Sequence, residues 1–152
     1  MNLLDVTSKE LASSFDNNGY ELIMENRQRS SLSVEESIIA ALIKQNPRLI
    51  EGIPILLIKN KINYTKLRKL IYNYKLWNEF GYLGEFTLRH VKSKELSQLV
   101  SDCRDNLKPE ACLDNFFRES SLIFQKPEEK TWRLTGAPPY SALEKQLKRY
   151  IK

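Results

Sequence analysis

The chain has 152 residues and a mass of 17.8 kDa, with 41% apolar and 28% charged side chains and a formal charge of +5. That composition supplies one buried core and excludes both a wholly disordered chain and a pair of large domains. No apolar run nears the roughly 20 residues a bilayer-spanning helix needs, and the opening MNLLDVTSKE lacks a basic segment followed by a long apolar one, so the expectation is a cytoplasmic protein.

In chain order, the signals predict an all-α fold: a single multi-helix domain of about seven to eight short helices, with a body over residues 1–125 and a basic helix-turn-helix-like pair over 126–152 packed on it. Thr7 with Glu10, Ser33 with Glu36 and Ser141 with Glu144 each fit the S/T-x-x-E capping box, whose hydroxyl and carboxylate satisfy orphan amides of a first helical turn. After Ser33, the positions Ile38, Ile39, Ala41, Leu42 and Ile43 form a wide apolar stripe ending near Gln45, where Asn46-Pro47 offers a cap and a first-turn proline for the next helix. Leu49, Ile50, Ile53, Leu56 and Leu57 keep helical spacing, while Gly52 and Pro54 predict a kink or a break; a strand over IPILLI is the competing reading. Asn63 caps a helix through Lys75 whose Leu67, Leu70, Ile71 and Tyr74 face inward. Trp77 to His90 forms the next, with Gly81 and Gly84 letting another helix approach closely.

Ser93 to Asp102, with Leu96, Leu99 and Val100 on one face, and Pro109 to Arg118, with Cys112, Leu113, Phe116 and Phe117, read as two more amphipathic helices. Residues 120–127 stay open between a last turn, a connector and an edge strand. Pro127 begins a short helix through Leu134, Gly136 ends it in a left-handed cap, Ala137-Pro138-Pro139 follows as a stiff linker, and Ser141 caps a final basic helix. Cys103 and Cys112 lie nine apart without metal-ligating neighbours and read as buried free thiols, with a disulfide as the competing reading.

Charge is the strongest functional signal. From Gly52 to Asn78 there is no acid, while Lys59, Lys61, Lys66, Arg68, Lys69 and Lys75 stand among Tyr64, Tyr72, Tyr74 and Trp77. On a helix, Lys66, Lys69 and Asn73 share one side and Arg68, Tyr72 and Lys75 another, with the inward stripe between them and Tyr72 as the candidate exposed ring. The tail adds Lys126, Lys130, Arg133, Lys145, Lys148, Arg149 and Lys152 against Glu128, Glu129 and Glu144. If Leu143, Leu147, Tyr150 and Ile151 pack on the body, Lys145, Lys148, Arg149 and Lys152 are left on the solvent side. Solvation alone, or the preference of helix dipoles for terminal charges, also explains such residues.

Catalytic chemistry finds no support. His90 is the sole histidine and sits at a predicted helix end, and the acid pairs Glu35/Glu36, Glu128/Glu129 and Asp102/Asp105 each fall at a helix terminus that favours or stops at them. No cofactor motif, phosphate-cradling glycine loop, H-E-x-x-H or G-x-S-x-G is present. The expectation is therefore a non-enzymatic protein.

The stretches RLIEGIPILLIKNK from Arg48 to Lys61 and RLTGAPPYSALEKQLKRYIK from Arg133 to Lys152 resemble segments of small helical bacterial and archaeal proteins that accompany nucleotidyltransferase-type toxin-antitoxin genes. Their tail signature G-x-P-x-S-x-x-E is matched by Gly136, Pro138 and Tyr140 or Ser141 with a one-residue shift. The resemblance implies a regulatory or partner-binding role. Two readings follow: a nucleic-acid-binding regulator or antitoxin-like component using the basic tail and the Lys59–Lys75 face, or a module that binds an acidic protein partner through that face.

Overall fold

The computed structural model describes residues 2–21, 30–113 and 127–151. Its architecture is all-α, with one short parallel strand pair. A 3-10 turn (Leu3–Asp5) leads into α1 (Ser8–Asn17), followed by α2 (Val34–Lys44), α3 (Pro47–Ile50), α4 (Ile53–Lys59), α5 (Tyr64–Tyr74), α6 (Trp77–Leu88) and α7 (Lys94–Arg104). Then come β1 (Ala111–Cys112), α8 (Pro127–Thr131), β2 (Leu134–Thr135) and α9 (Tyr140–Tyr150).

Helix starts fall where side chains can accept first-turn amides. Thr7 accepts from Glu10, Asn46 from Leu49, Asn63 from Lys66 and Ser93 from Leu96. At α2 the capping box is complete, since the Ser33 amide donates to Glu36 Oε1 at 3.0 Å and the Glu36 amide to Ser33 Oγ at 3.1 Å. Burial pulls the Glu36 carboxyl upward, but the Ser33 hydrogen bonds and the Lys66 ammonium outweigh it and hold the group below its ordinary value. Gly52 and Pro54 produce a break: α3 stops at Ile50, Gly52 sits at the N-cap of α4, and IPILLI is helical.

The core gathers around α6, where Asn78 to Gly84, Phe86 and Thr87 are all buried. Chain direction reverses over Arg89–Ser93, and α7 packs on α6, with Val100 lying against Gly84 where a β-carbon would approach it to 2.7 Å. Helix α5 bridges α2 and α7, α4 lies against α6, α1 against α2, and α9 against α4. Trp132, Leu134, Leu143 and Leu147 belong to the same buried cluster as Phe80, Ile53 and Ile38, so the C-terminal segment shares the central core.

The C-terminal third departs from its local signals in four places. Residues 109–113 do not begin a helix: the Ala111 amide donates to Arg133 O and the Leu113 amide to Thr135 O, a parallel pairing with a distant segment. Residues 114–118 of that expected helix, and 120–126, lie outside the described residues. Helix α8 ends at Thr131 rather than Leu134, because Leu134 is taken by β2. The left-handed turn directly after it falls on Arg133 (φ 53°), with Gly136 (φ 70°) making a second one beyond the strand. The Ser141–Glu144 capping box does not form; Pro139 is the N-cap and α9 begins at Tyr140, whose hydroxyl donates to Tyr82 O.

Of the glycines, Gly81 has the nearest neighbour, since a β-carbon there would overlap the Trp132 ring. Gly81→Ala is expected to cost about 3 kcal/mol in urea unfolding. Trp132→Leu in the same chain should recover part of that loss, because the two positions are in contact.

Ser33→Ala is expected to cost about 1 kcal/mol at neutral pH. The lowered Glu36 value means that its extra stability is present above the ordinary carboxylate range and lost as pH falls through the folded value. The gap between wild type and variant should therefore narrow on acidification, as followed by urea titrations at several pH values.

Candidate anion-binding surface

The basic window does not form one open face. The two flanks of α5 that border its inward stripe meet neighbouring helices, and each neighbour supplies an acid. Lys66 Nζ lies 3.6 Å from Glu36 Oε1 on α2, and Arg68 reaches Asp102 on α7 at 2.9 Å. Lys59, at the end of α4, donates to Gly19 O at 2.9 Å and lies over the Tyr150 ring, tying α1, α4 and α9 together. Those three cations are engaged by contacts within the fold.

Lys61, Lys69 and Lys75 are exposed and have no ion partner among the described residues. They are spread along the helix: Lys61 precedes α5, and Lys75 is its left-handed C-cap at φ 56°. Eleven residues of α5 span about 16 Å, so the three form a sparse line. Tyr72 is 48% exposed; its ring stands edge-on to Trp77 at 5.5 Å and its hydroxyl accepts from Asn106.

Helix α9 gives a denser arrangement. Leu143 and Leu147 are buried, while Ser141, Glu144, Lys145, Lys148 and Arg149 are exposed. Lys145, Lys148 and Arg149 stand at i, i+3 and i+4, neighbours within one turn, and have no ion partner among the described residues. Lys152 lies outside the described residues. The helix is pinned along its length: Tyr140 donates to Tyr82 O at 3.0 Å, Gln146 to Glu51 Oε2 at 3.3 Å and Tyr150 to Glu21 O at 2.8 Å. Burial pushes the Glu51 carboxyl upward, against the Gln146 hydrogen bond, and burial raises the Tyr140 hydroxyl as well.

Several of the titratable groups weighed for catalysis make contacts within the fold. His90 packs on Phe86 with ring centroids 4.8 Å apart, and its Nε2 is 3.9 Å from Glu144. Glu35 accepts the Asn63 amide, Glu129 the Ala137 amide, and Glu128 faces Arg89. Burial pushes the Glu79 carboxyl up, while Lys108, 3.4 Å away, pulls it down. Cys103 and Cys112 are free thiols, and burial pushes Cys103 up to about 12, far from a reactive thiolate. Among the described residues no group of three or more His, Cys, Asp or Glu is placed to hold a metal, and no helix is long and apolar enough to cross a membrane.

Sequence reasoning passed over the turn after α6. His90 and Val91 form one wall of a groove whose other wall is α9, and Lys92 and Lys94 continue from it. The local signal was present as the basic string flanking Ser93, but only the docking of α9 brings that turn beside Lys148.

Comparison with known protein families, curated proteins and solved structures returned no match.

Arg68→Ala is expected to cost about 1 kcal/mol, through the lost ion pair with Asp102 and the lost packing of the arginine stem. Lys69→Ala should stay within about 0.5 kcal/mol. Thermal unfolding of the two variants side by side checks the division; equal effects would show that Arg68 is no more structural than its neighbour.

Proposed function

We propose that this protein is a non-enzymatic binding protein that engages nucleic acid through the outer face of α9. The observation that carries this reading is the grouping of Lys145, Lys148 and Arg149 on one exposed turn of a helix whose apolar face is buried. Such a helix can lay cations along a phosphate backbone without rearranging its own core, and the released counterions supply the affinity. The resemblance of the tail to proteins that accompany toxin-antitoxin genes agrees with a regulatory role. A second reading rests on Tyr72: an exposed ring braced by Trp77 and Asn106, with Lys69 and Lys75 on either side in sequence, suits an acidic protein partner.

The test is fluorescence anisotropy with labelled oligonucleotides of about 12 nucleotides at several salt concentrations. Wild type should bind with a log–log salt slope of about −2 to −3, as for three phosphate contacts. The Lys145→Glu, Lys148→Glu, Arg149→Glu triple variant should lose at least about tenfold in affinity and most of the slope. Binding that the triple variant leaves unchanged, or no binding by wild type, overturns the reading.

A further inference from the structure

The groove between α9 and the α6–α7 turn has a composition that the basic face alone does not require. Ile58, Leu147 and Ile151 line it with apolar surface, His90 and Val91 stand on one side, and Lys148 stands on the other. His90 is not an enclosed core residue: its side chain keeps 30% of its surface exposed, while Phe86 supports its ring from below at a centroid distance of 4.8 Å. Val91 also borders a second hollow, which carries Lys92, Lys94, Ser97, Gln98 and Ser101. A wall that carries Lys148 beside Glu144, an apolar floor and a braced aromatic ring therefore adjoin, across Val91, a hollow lined by two lysines and several hydroxyls.

Duplex nucleic acid keeps the flat faces of its bases stacked inside the helix and offers a protein only base edges and phosphates, so it has no ring face to lay in such a groove. A single strand can. Its unstacked bases offer flat apolar faces to an aromatic ring and an aliphatic floor, while its phosphates follow the flanking cations. Glu144 on the same rim does not oppose this path across its whole width, since it is directed at His90 Nε2, 3.9 Å away. The cations that remain for a strand are Lys148 on one wall and Lys92 and Lys94 beyond the other, all exposed and without an ion partner among the described residues.

We propose that this groove is a base-binding subsite, with His90 as the stacking ring and Lys148, Lys92 and Lys94 as phosphate contacts, which makes single-stranded nucleic acid the class of ligand. The proposal rests on the α9 reading above and names its ligand and a further surface.

Anisotropy with the full chain, using one labelled sequence as a single strand and as a duplex, tests it. Wild type is expected to bind the single strand at least about tenfold more tightly than the duplex. His90→Ala should remove about tenfold of single-strand affinity and leave duplex affinity unchanged, His90→Phe should restore it, and the Lys92→Glu, Lys94→Glu pair should reduce the single-strand salt slope. Circular dichroism of each variant verifies the fold, and the wild-type comparison stands even if His90→Ala does not fold. Equal affinity for the two forms, or a preference for duplex, overturns the single-strand proposal; if the α9 triple variant still abolishes that binding, the α9 reading survives. No binding of either form by wild type overturns both.

Discussion

The indole of Trp132 lies across the backbone of Gly81 with none of its surface exposed, and α6 carries on the same side the two groups that grip it. The Asn78 amide donates to the Trp132 carbonyl at 3.0 Å, and Glu85 accepts from the indole N–H. Asn78 also binds the backbone of Lys108 in both directions, donating to its carbonyl and accepting from its amide. A single buried side chain therefore fixes two remote stretches against one helix. The backbone of each would be costly to bury unpaired, and the ring can come this close only because position 81 has no β-carbon. From this anchor the rest of the C-terminal segment follows: β2 pairs with β1, Tyr82 donates to Pro138 O, and α9 starts beside Tyr82 and Phe86.

That geometry also explains why some parts of the fold were legible in the sequence and others were not. Ser33, Asn46, Asn63 and Ser93 mark helix starts through hydrogen bonds that close within three residues, so their signals survive any tertiary arrangement. Gly52 and Pro54 act equally locally. Ser141 and Glu144 have the same spacing and fail, because the Tyr140 hydroxyl is already committed to Tyr82 and the helix is entered from Pro139, two residues earlier. Residues 109–113 carry helical spacing, yet the carbonyls of Arg133 and Thr135 accept the Ala111 and Leu113 amides in a pairing that no local pattern announces. Competition from distant segments, concentrated around Trp132, is what local reasoning lacks.

The same division runs through the charged surface. The acid-free window from Gly52 to Asn78 looks like an uncompensated basic face when only one segment is in view. In three dimensions the acids arrive from α2 and α7, and Lys66 and Arg68 become bridges between helices, while the carbonyl of Gly19 takes Lys59. A run of cations on an amphipathic helix is thus divided by position: those bordering the apolar stripe are within reach of neighbouring elements, and those opposite it, such as Lys69, are left to solvent. Tyr72 and the α9 cations were legible because their exposure follows from helical periodicity alone. The Lys92–Lys94 turn was not, because its neighbours are set by how α9 crosses α4.

Helix α9 differs from α5 in a way that bears on binding. Three like charges within one turn repel one another, and such a cluster persists in the free protein only if something offsets the repulsion. Here the offsets are internal. Lys148 and Arg149 lie in the last turn, where the helix dipole favours cations, and the Arg149 guanidinium lies over the Tyr150 ring, 5.9 Å from its centroid. The backbone beneath is held by Tyr140, Gln146 and Tyr150, so only side-chain rotamers remain to be ordered when an anion arrives. On α5 the repulsion was relieved by recruiting acids from other helices, which spends the charge inside the fold. On α9 Glu144, four residues before Lys148, offsets only part of it, which leaves the remaining charge directed outward and the residual repulsion available to be quenched by a polyanion.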